Sequence, residues 1–169
     1  MKVKNIIWED FCNYKKPSTF IGTTKCSFKC DKECGQQVCQ NSALAAAPDI
    51  EISNDEIITT FYNNKISEAL VIGGLEPFDT FDELYKFLID YKEYITSNQL
   101  AAQDVVIYSG YNENEIWNYL RALKGLNLPI IVKFGRFIPN KESIYDSELG
   151  VLLSSYNQYA IKLSELEDC

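Results

Sequence analysis

Four cysteines, Cys26, Cys30, Cys34 and Cys39, stand in the short run KCSFKCDKECGQQVC (25–39) of a chain that has no histidine at all. Thiolates this close together share a metal or an iron–sulfur cluster, because soft sulfur ligands suit zinc and iron. A structural zinc fits loosely, through paired knuckles Cys26/Cys30 and Cys34/Cys39. Such a zinc usually staples two separated segments, whereas here every thiol lies in one loop, which favours a cluster. Three thiolates on a four-iron cluster leave one iron open and four close it; the spacing leaves both arrangements standing. The absence of histidine removes the commonest general base and proton shuttle, and with it hydrolytic triads and His-ligated metal sites.

The second chemical signal is GGLEP (73–77), directly after the apolar run ALVIGG (69–74). Glycines there let the backbone approach a ligand closely, and exposed amides or carbonyls can hold an ammonium or a carboxylate. The plainer reading is a glycine turn with Pro77 near the first helical position and Asp79 helping the cap; beside the cysteine loop the ligand reading becomes the better one. Lys133 and Arg136 close a further apolar run and could neutralise a carboxylate or phosphate, though a surface role competes. Tyr108, Tyr111 and Phe134 could stack on a ring, a weak signal among eleven tyrosines. Cys12 and Cys169 read as incidental thiols.

These groups need a scaffold. Residues 1–17 have no clear periodicity, and STFIGTT (18–24) reads as a short strand ending at the cysteine loop. The stretch 36–47 has helix-forming composition and stops at Pro48. Ser53 with Glu56 forms a capping box for a helix starting at about Asn54. Buried strands are expected over 69–74, 104–110 and 128–135. Between them Phe81, Leu84, Phe87, Leu88, Tyr91 and Ile95 recur at helical spacing, and 112–115 caps a helix through EIWNYLRAL. Residues 136–148 read as a loop, 150–163 as containing a last strand, and 164–169 as a frayed tail. Alternating strands and helices imply one α/β domain with a mainly parallel sheet. In such a sheet the working loops follow the strands' C-terminal ends. The cysteine loop, 73–77, 108–110 and 133–136 are therefore expected on one rim.

Composition is that of an ordinary soluble chain: 169 residues, 46% hydrophobic and 24% charged. No apolar run is long enough to span a membrane and no signal peptide is evident, so a cytoplasmic location with reduced thiols is expected. The net charge of −8 argues against nucleic-acid binding. Seven lysines against three acidic residues give 1–32 a balance of +4, leaving −12 for the remainder. That positive segment could offset a thiolate-bound cluster or face an acidic partner; a solvated surface is the simpler account of most of these lysines.

A strand, a cysteine loop and a GGEP-type turn after the next strand resemble the radical SAM superfamily. The later runs IYSGYNENEI, VKFGRFIP and SSYNQYAIKL resemble the small activating proteins of anaerobic ribonucleotide reductase. The resemblance spans about 18–163 and implies a partial (β/α) barrel. It also implies a 4Fe-4S cluster whose open iron is chelated by S-adenosyl-L-methionine. Reductive cleavage of that cofactor to methionine and a 5′-deoxyadenosyl radical would generate a glycyl radical on the large reductase subunit. Carried over residue by residue, Cys26, Cys30 and Cys34 hold the cluster, with Cys39 as an alternative third or fourth ligand. Gly73, Gly74 and Glu76 line the amino-acid end of the cofactor, and Tyr108 and Ser109 its ribose or adenine. The implied partners are the glycyl-radical enzyme and a reducing donor such as flavodoxin or ferredoxin; a homodimer stays open. The chain departs from the family's C-x3-C-x2-C by one residue in the second interval, has Glu33 where an aromatic is usual, and reads GGLEP rather than GGEP. An iron–sulfur electron-transfer or scaffold protein on the same fold, without cofactor cleavage, is the alternative.

Overall fold

The apolar runs ALVIG, DVVIY and IIVKF become the central strands of the computed structural model, which describes residues 1–166. In chain order the elements are β1 (Lys2–Val3), β2 (Asn5–Asp10), β3 (Ser18–Gly22), α1 (Lys29–Cys34), α2 (Ser42–Ala46), β4 (Ile50–Glu51), α3 (Asn54–Asn63), β5 (Ala69–Gly73), α4 (Phe81–Ser97), β6 (Asp104–Tyr108), α5 (Trp117–Lys124), β7 (Ile130–Phe134), β8 (Ile144–Asp146), β9 (Val151–Leu153) and β10 (Tyr159–Lys162). A six-stranded sheet has the order β10-β7-β6-β5-β3-β2. Its four central strands run parallel, and β2 and β10 close the two edges antiparallel. This is the expected α/β architecture, consistent with a partial (β/α) barrel.

Both faces of the central strands are covered, which is why their sequences are continuously apolar rather than alternating. Leu70, Ile72, Val105, Ile107 and Val132 point into the larger core with Ile57 and Phe61 of α3, Leu84, Phe87, Leu88 and Tyr91 of α4, and Leu120 and Leu123 of α5. The helical spacing read over 81–95 is the buried stripe of α4, and Ser53 Oγ accepts the Glu56 N–H at 3.1 Å to start α3 as expected. On the other face Ala69, Val71, Val106 and Ile131 pack against Tyr14, Leu149 and Leu153. That second cover is fixed by Tyr14, whose hydroxyl donates to Asp104 at 2.9 Å, and by the Lys15 N–H on the Leu149 carbonyl at 2.7 Å.

Several elements differ from the reading of the sequence. Residues 1–17, without visible periodicity, supply β1 and the edge strand β2, whose register against β3 shifts between Ile7 and Asp10. A bulged edge strand carries no clean alternation, which hides it. The stretch read as one loop and one last strand contains the β8–β9 hairpin as well as β10. The helix-forming run after Gly35 yields only the five residues of α2. At the C-terminus Leu163–Glu165 forms a 3-10 turn and Leu166 is buried; the rest of the expected frayed tail, with Cys169, lies outside the described residues. No helix among those residues is long and apolar enough to cross a membrane.

Candidate cluster site

The C-terminal ends of the parallel strands carry four loops, and hydrogen bonds stitch them into one rim. The Thr23 N–H donates to the Gly73 carbonyl at 2.9 Å, and the Glu76 N–H to Lys25 at 2.9 Å, binding the cysteine loop to the glycine turn. The Ser27 N–H donates to Asp79. Ser109 donates its N–H to the Lys133 carbonyl at 2.9 Å and its hydroxyl to Glu76 at 2.9 Å. The Gly135 N–H closes the series on the Tyr111 carbonyl at 3.0 Å. The rim expected from topology is thus assembled.

On it, Phe28 takes a left-handed conformation (φ 52°) as N-cap of α1 and directs its N–H to Cys26 Sγ at 3.3 Å. A non-glycine residue in that region is held there by its surroundings, and here the result is a donor aimed at a thiol. Burial pushes the Cys26 thiol up to about 11, opposed by the Phe28 N–H, with Glu76 and Cys39 adding to the rise. Burial also raises Cys30, opposed by the Phe137 N–H, Arg136 and Lys133. Without a metal these thiols are neutral; a bound iron would take the thiolate and release the proton.

α1 ends at Gly35 (φ 67°), which reverses the chain. One oxygen of Asp31 then accepts the N–H groups of Val38 and Cys39, both at 2.8 Å. Cys26, Cys30, Cys34 and Cys39 are all free and half-buried; Cys12 is free and exposed. Among the described residues no three Cys, Asp or Glu side chains converge closely enough to hold a single metal ion. Four free, half-buried thiols in one loop are the kind of soft donor an iron–sulfur cluster takes.

The glycine turn has two parts. Gly74 (φ 78°) allows the turn, and a Cβ there would meet Leu44 of α2 at 2.6 Å and Phe20 at 3.4 Å. Glu76 caps the 3-10 turn Pro77–Thr80 through the Phe78 N–H and reaches across to the loop after β6, where the Gly110 N–H donates to it at 2.8 Å. Burial pushes its carboxyl up to about 7 against these hydrogen bonds. Lys133 is buried behind the rim, donating to the carbonyls of Ser109 (3.3 Å) and Gly135 (2.8 Å), and burial pulls its ammonium down to about 8 against the attraction of Glu76 and Cys30.

Arg136 pairs with Glu33 of α1, Nε lying 3.1 Å from the carboxylate without pointing its N–H at it, and with Glu115 through Nη2. It borders a cavity of about 320 Å³ lined also by Cys30, Cys34, Asn112, Phe137 and Asn157. Tyr111 donates to Asp79 at 2.6 Å while Lys29 sits over its ring at 4.3 Å. The sequence shows Asp79 and Glu115 only as capping residues and Asp31 only as one charge among others, because the groups they bind at the rim are set by the fold.

Of the residues singled out from sequence, the rim gathers Cys26, Cys30, Gly73, Gly74, Glu76, Ser109, Lys133 and Arg136. Tyr108 points to the other face of the sheet, where its hydroxyl donates to the Asn13 carbonyl at 2.6 Å. Phe134 is in the helix-side core. Four of the seven N-terminal lysines are paired, Lys2 with Glu51, Lys4 with Asp49, Lys16 with Asp104 and Lys29 with Glu115; Lys2, Lys16 and Lys29 are partly exposed, whereas the Lys4 side chain is buried and also donates to the Ala47 carbonyl.

Searches of curated proteins and of solved structures returned no match. Residues 18–159 match a family model described as a 4Fe-4S single cluster domain. With a match running from β3 into β10 and a rim of free thiols within it, the chain belongs to the 4Fe-4S single cluster domain family.

Proposed function

We propose that the chain is a radical-generating activating enzyme of the radical SAM type, serving a glycyl-radical enzyme such as anaerobic ribonucleotide reductase. The observation that carries this reading is the direct hydrogen-bonded contact between the cysteine loop and the Gly73–Gly74 turn on one strand rim. S-adenosyl-L-methionine, when bound, supplies a sulfonium that takes one electron from the reduced cluster and releases methionine and a 5′-deoxyadenosyl radical, which takes a hydrogen atom from a glycine Cα of the partner. The chain's own residues hold and orient. The Gly73 and Gly74 backbone offers close approach, while Glu76, saturated by Ser109, Gly110 and Phe78, braces the turn against β6. Lys133 and Arg136 set positive charge beside Cys30, offsetting a negative cluster. The electron comes from a reducing donor of the flavodoxin or ferredoxin class.

The test is anaerobic reconstitution with iron and sulfide, followed by reductant and S-adenosyl-L-methionine. Formation of 5′-deoxyadenosine above a cluster-free control is expected, and its absence from a fully loaded protein sinks the reading. One observation favours a second reading, an electron-transfer or scaffold protein on the same fold: Leu44 covers the Gly74 position. A loaded, redox-active protein that leaves S-adenosyl-L-methionine intact would select it.

A further inference from the structure

We propose that Tyr111 and Asp79 are positioning residues that hold the Phe28 N–H on the Cys26 sulfur, and that this donor raises the reduction potential of the bound cluster. The inference rests on Cys26 being a cluster ligand and is independent of cofactor cleavage. Phe28 lies in the left-handed region, φ 52° and ψ 41°, and its N–H meets Cys26 Sγ at 3.3 Å. A residue with a Cβ avoids that region unless its surroundings impose it. Here they grip the chain on both sides of Phe28. Upstream, the Lys25 carbonyl accepts the Glu76 N–H at 2.9 Å and the Ser27 N–H donates to Asp79. Ser27 Oγ also lies 3.4 Å from the Tyr111 hydroxyl. Downstream, Lys29 Nζ sits 4.3 Å from the centre of the Tyr111 ring and pairs with Glu115 at 3.2 Å.

Tyr111 thus touches both neighbours of Phe28, and it is itself a fixed post. Its N–H donates to Ser109 Oγ at 2.9 Å, its carbonyl accepts the Gly135 N–H at 3.0 Å, and its hydroxyl donates to Asp79 at 2.6 Å. One Asp79 oxygen holds Tyr111 and the other holds Ser27. The peptide unit between Ser27 and Phe28 is therefore held from Ser27 at one end and from Lys29 at the other, with its own N–H on Cys26. An electron added to a thiolate-bound cluster puts more negative charge on the sulfurs. An N–H dipole fixed on one of them stabilises the reduced state more than the oxidised one, and so raises the potential.

The experiment reconstitutes the full chain anaerobically in four forms: wild type, Tyr111→Phe, a chain with phenyllactate in place of Phe28, and the two changes combined. Phenyllactate turns the amide N–H into an ester oxygen and keeps the side chain and the charge; Tyr111→Phe keeps the ring under Lys29 and removes only the hydroxyl. Iron per chain and the midpoint potential, from a redox titration followed by electron paramagnetic resonance, are read. The ester is expected to lower the potential at wild-type iron content, and Tyr111→Phe to lower it by part of that shift. The combination should lie no lower than the ester alone, because the hydroxyl acts through the N–H. An unchanged potential in either single form overturns the proposal, as does a combined shift equal to the sum of the two, or loss of the cluster from the ester chain. If Tyr111→Phe loads too little cluster to titrate, Asp79→Asn is read in the amide and ester chains. A shift more negative in the amide chain supports the proposal, and equal shifts, which are the effect of charge alone, overturn it. Loss of the cluster from both Tyr111→Phe and Asp79→Asn also overturns it, because these residues then secure the loop rather than the potential. Failure of the underlying reading shows separately, as full cluster retention in Cys26→Ala or no cluster in wild type.

Discussion

Glu76 ties the loop after β5 to the loop after β6 by accepting the Gly110 N–H at 2.8 Å, and it does so from a buried position that raises its carboxyl to about 7. The raised value has a thermodynamic consequence with a definite sign. The folded state holds the Glu76 proton more tightly than the unfolded chain does, whose ordinary value is 4.5. The stability from this group is therefore full below about pH 4.5 and is lost as pH rises to about 7, by at most about 3 kcal/mol at 1.36 kcal/mol per pH unit. Lys133, lowered to about 8, acts with the opposite sign and only above that pH.

Glu76→Gln isolates the effect in the apo-protein. An amide has one oxygen to accept the Ser109 hydroxyl and the Gly110 N–H, whereas the protonated carboxyl present at pH 5 has two, so the variant is expected to be less stable at pH 5, by about 1–3 kcal/mol. Its deficit should shrink by pH 7.5, because only wild type loses stability over that interval. Urea midpoints of both proteins at the two pH values check this. A deficit that is constant or growing would remove Glu76 as the titrating group.

The partly exposed carboxylate Glu115 behaves in the reverse sense. Hydrogen bonding from Arg136, then from the Asn112 N–H and Lys29, holds it down to about 2 despite partial burial. Its stability is present above the unfolded value of 4.5 and lost as pH falls toward 2. Glu115→Gln should therefore lower the melting temperature at pH 7 and leave it close to wild type at pH 2.5. Melting curves at the two pH values test this, and an equal drop in both proteins would contradict it.

The elements that could be read from sequence are those whose pattern has one physical cause. The runs at 69–73, 104–108 and 130–134 are apolar because both faces of a parallel sheet are covered, and α4 shows its stripe because one side of it is wet. The one-rim placement of the loops follows from strand direction alone. What stayed hidden depends on long-range pairing. β2 is recognisable as a strand only once β3 lies beside it, and Tyr108 could not be assigned a face until the strand register was fixed. The fold-back of the cysteine loop onto Asp31 likewise turns on Gly35, whose effect is a chain reversal rather than a motif.

Gly74 offers a test of how firmly α2 closes the glycine turn. Gly74→Ala meets two penalties, a φ of 78° that costs about 1–2 kcal/mol for a residue with a Cβ, and a contact of 2.6 Å with Leu44. Leu44→Ala removes the second and not the first. In a double-mutant cycle the pair should therefore be more stable than the sum of the single variants, with a residual deficit of about 1–2 kcal/mol from the backbone. Strict additivity would mean that Leu44 does not rest on the turn. In the loaded protein, Leu44→Ala should also lower the S-adenosyl-L-methionine concentration giving half-maximal 5′-deoxyadenosine formation.

The Asp31 bracket can be broken without touching a thiol. Both backbone donors, of Val38 and Cys39, converge on a single Asp31 oxygen. Asp31→Asn keeps an oxygen able to accept them and loses only the charge assistance, whereas Asp31→Ala leaves two N–H groups without their acceptor, at about 1–3 kcal/mol each if they stay buried. The loop carrying Cys39 should then come away from α1. Iron loss during a chelator challenge is expected to be fastest in Asp31→Ala, intermediate in Asp31→Asn and slowest in wild type. If Asp31→Ala holds its iron as long as wild type, the fold-back of the cysteine loop onto Asp31 does not support the cluster.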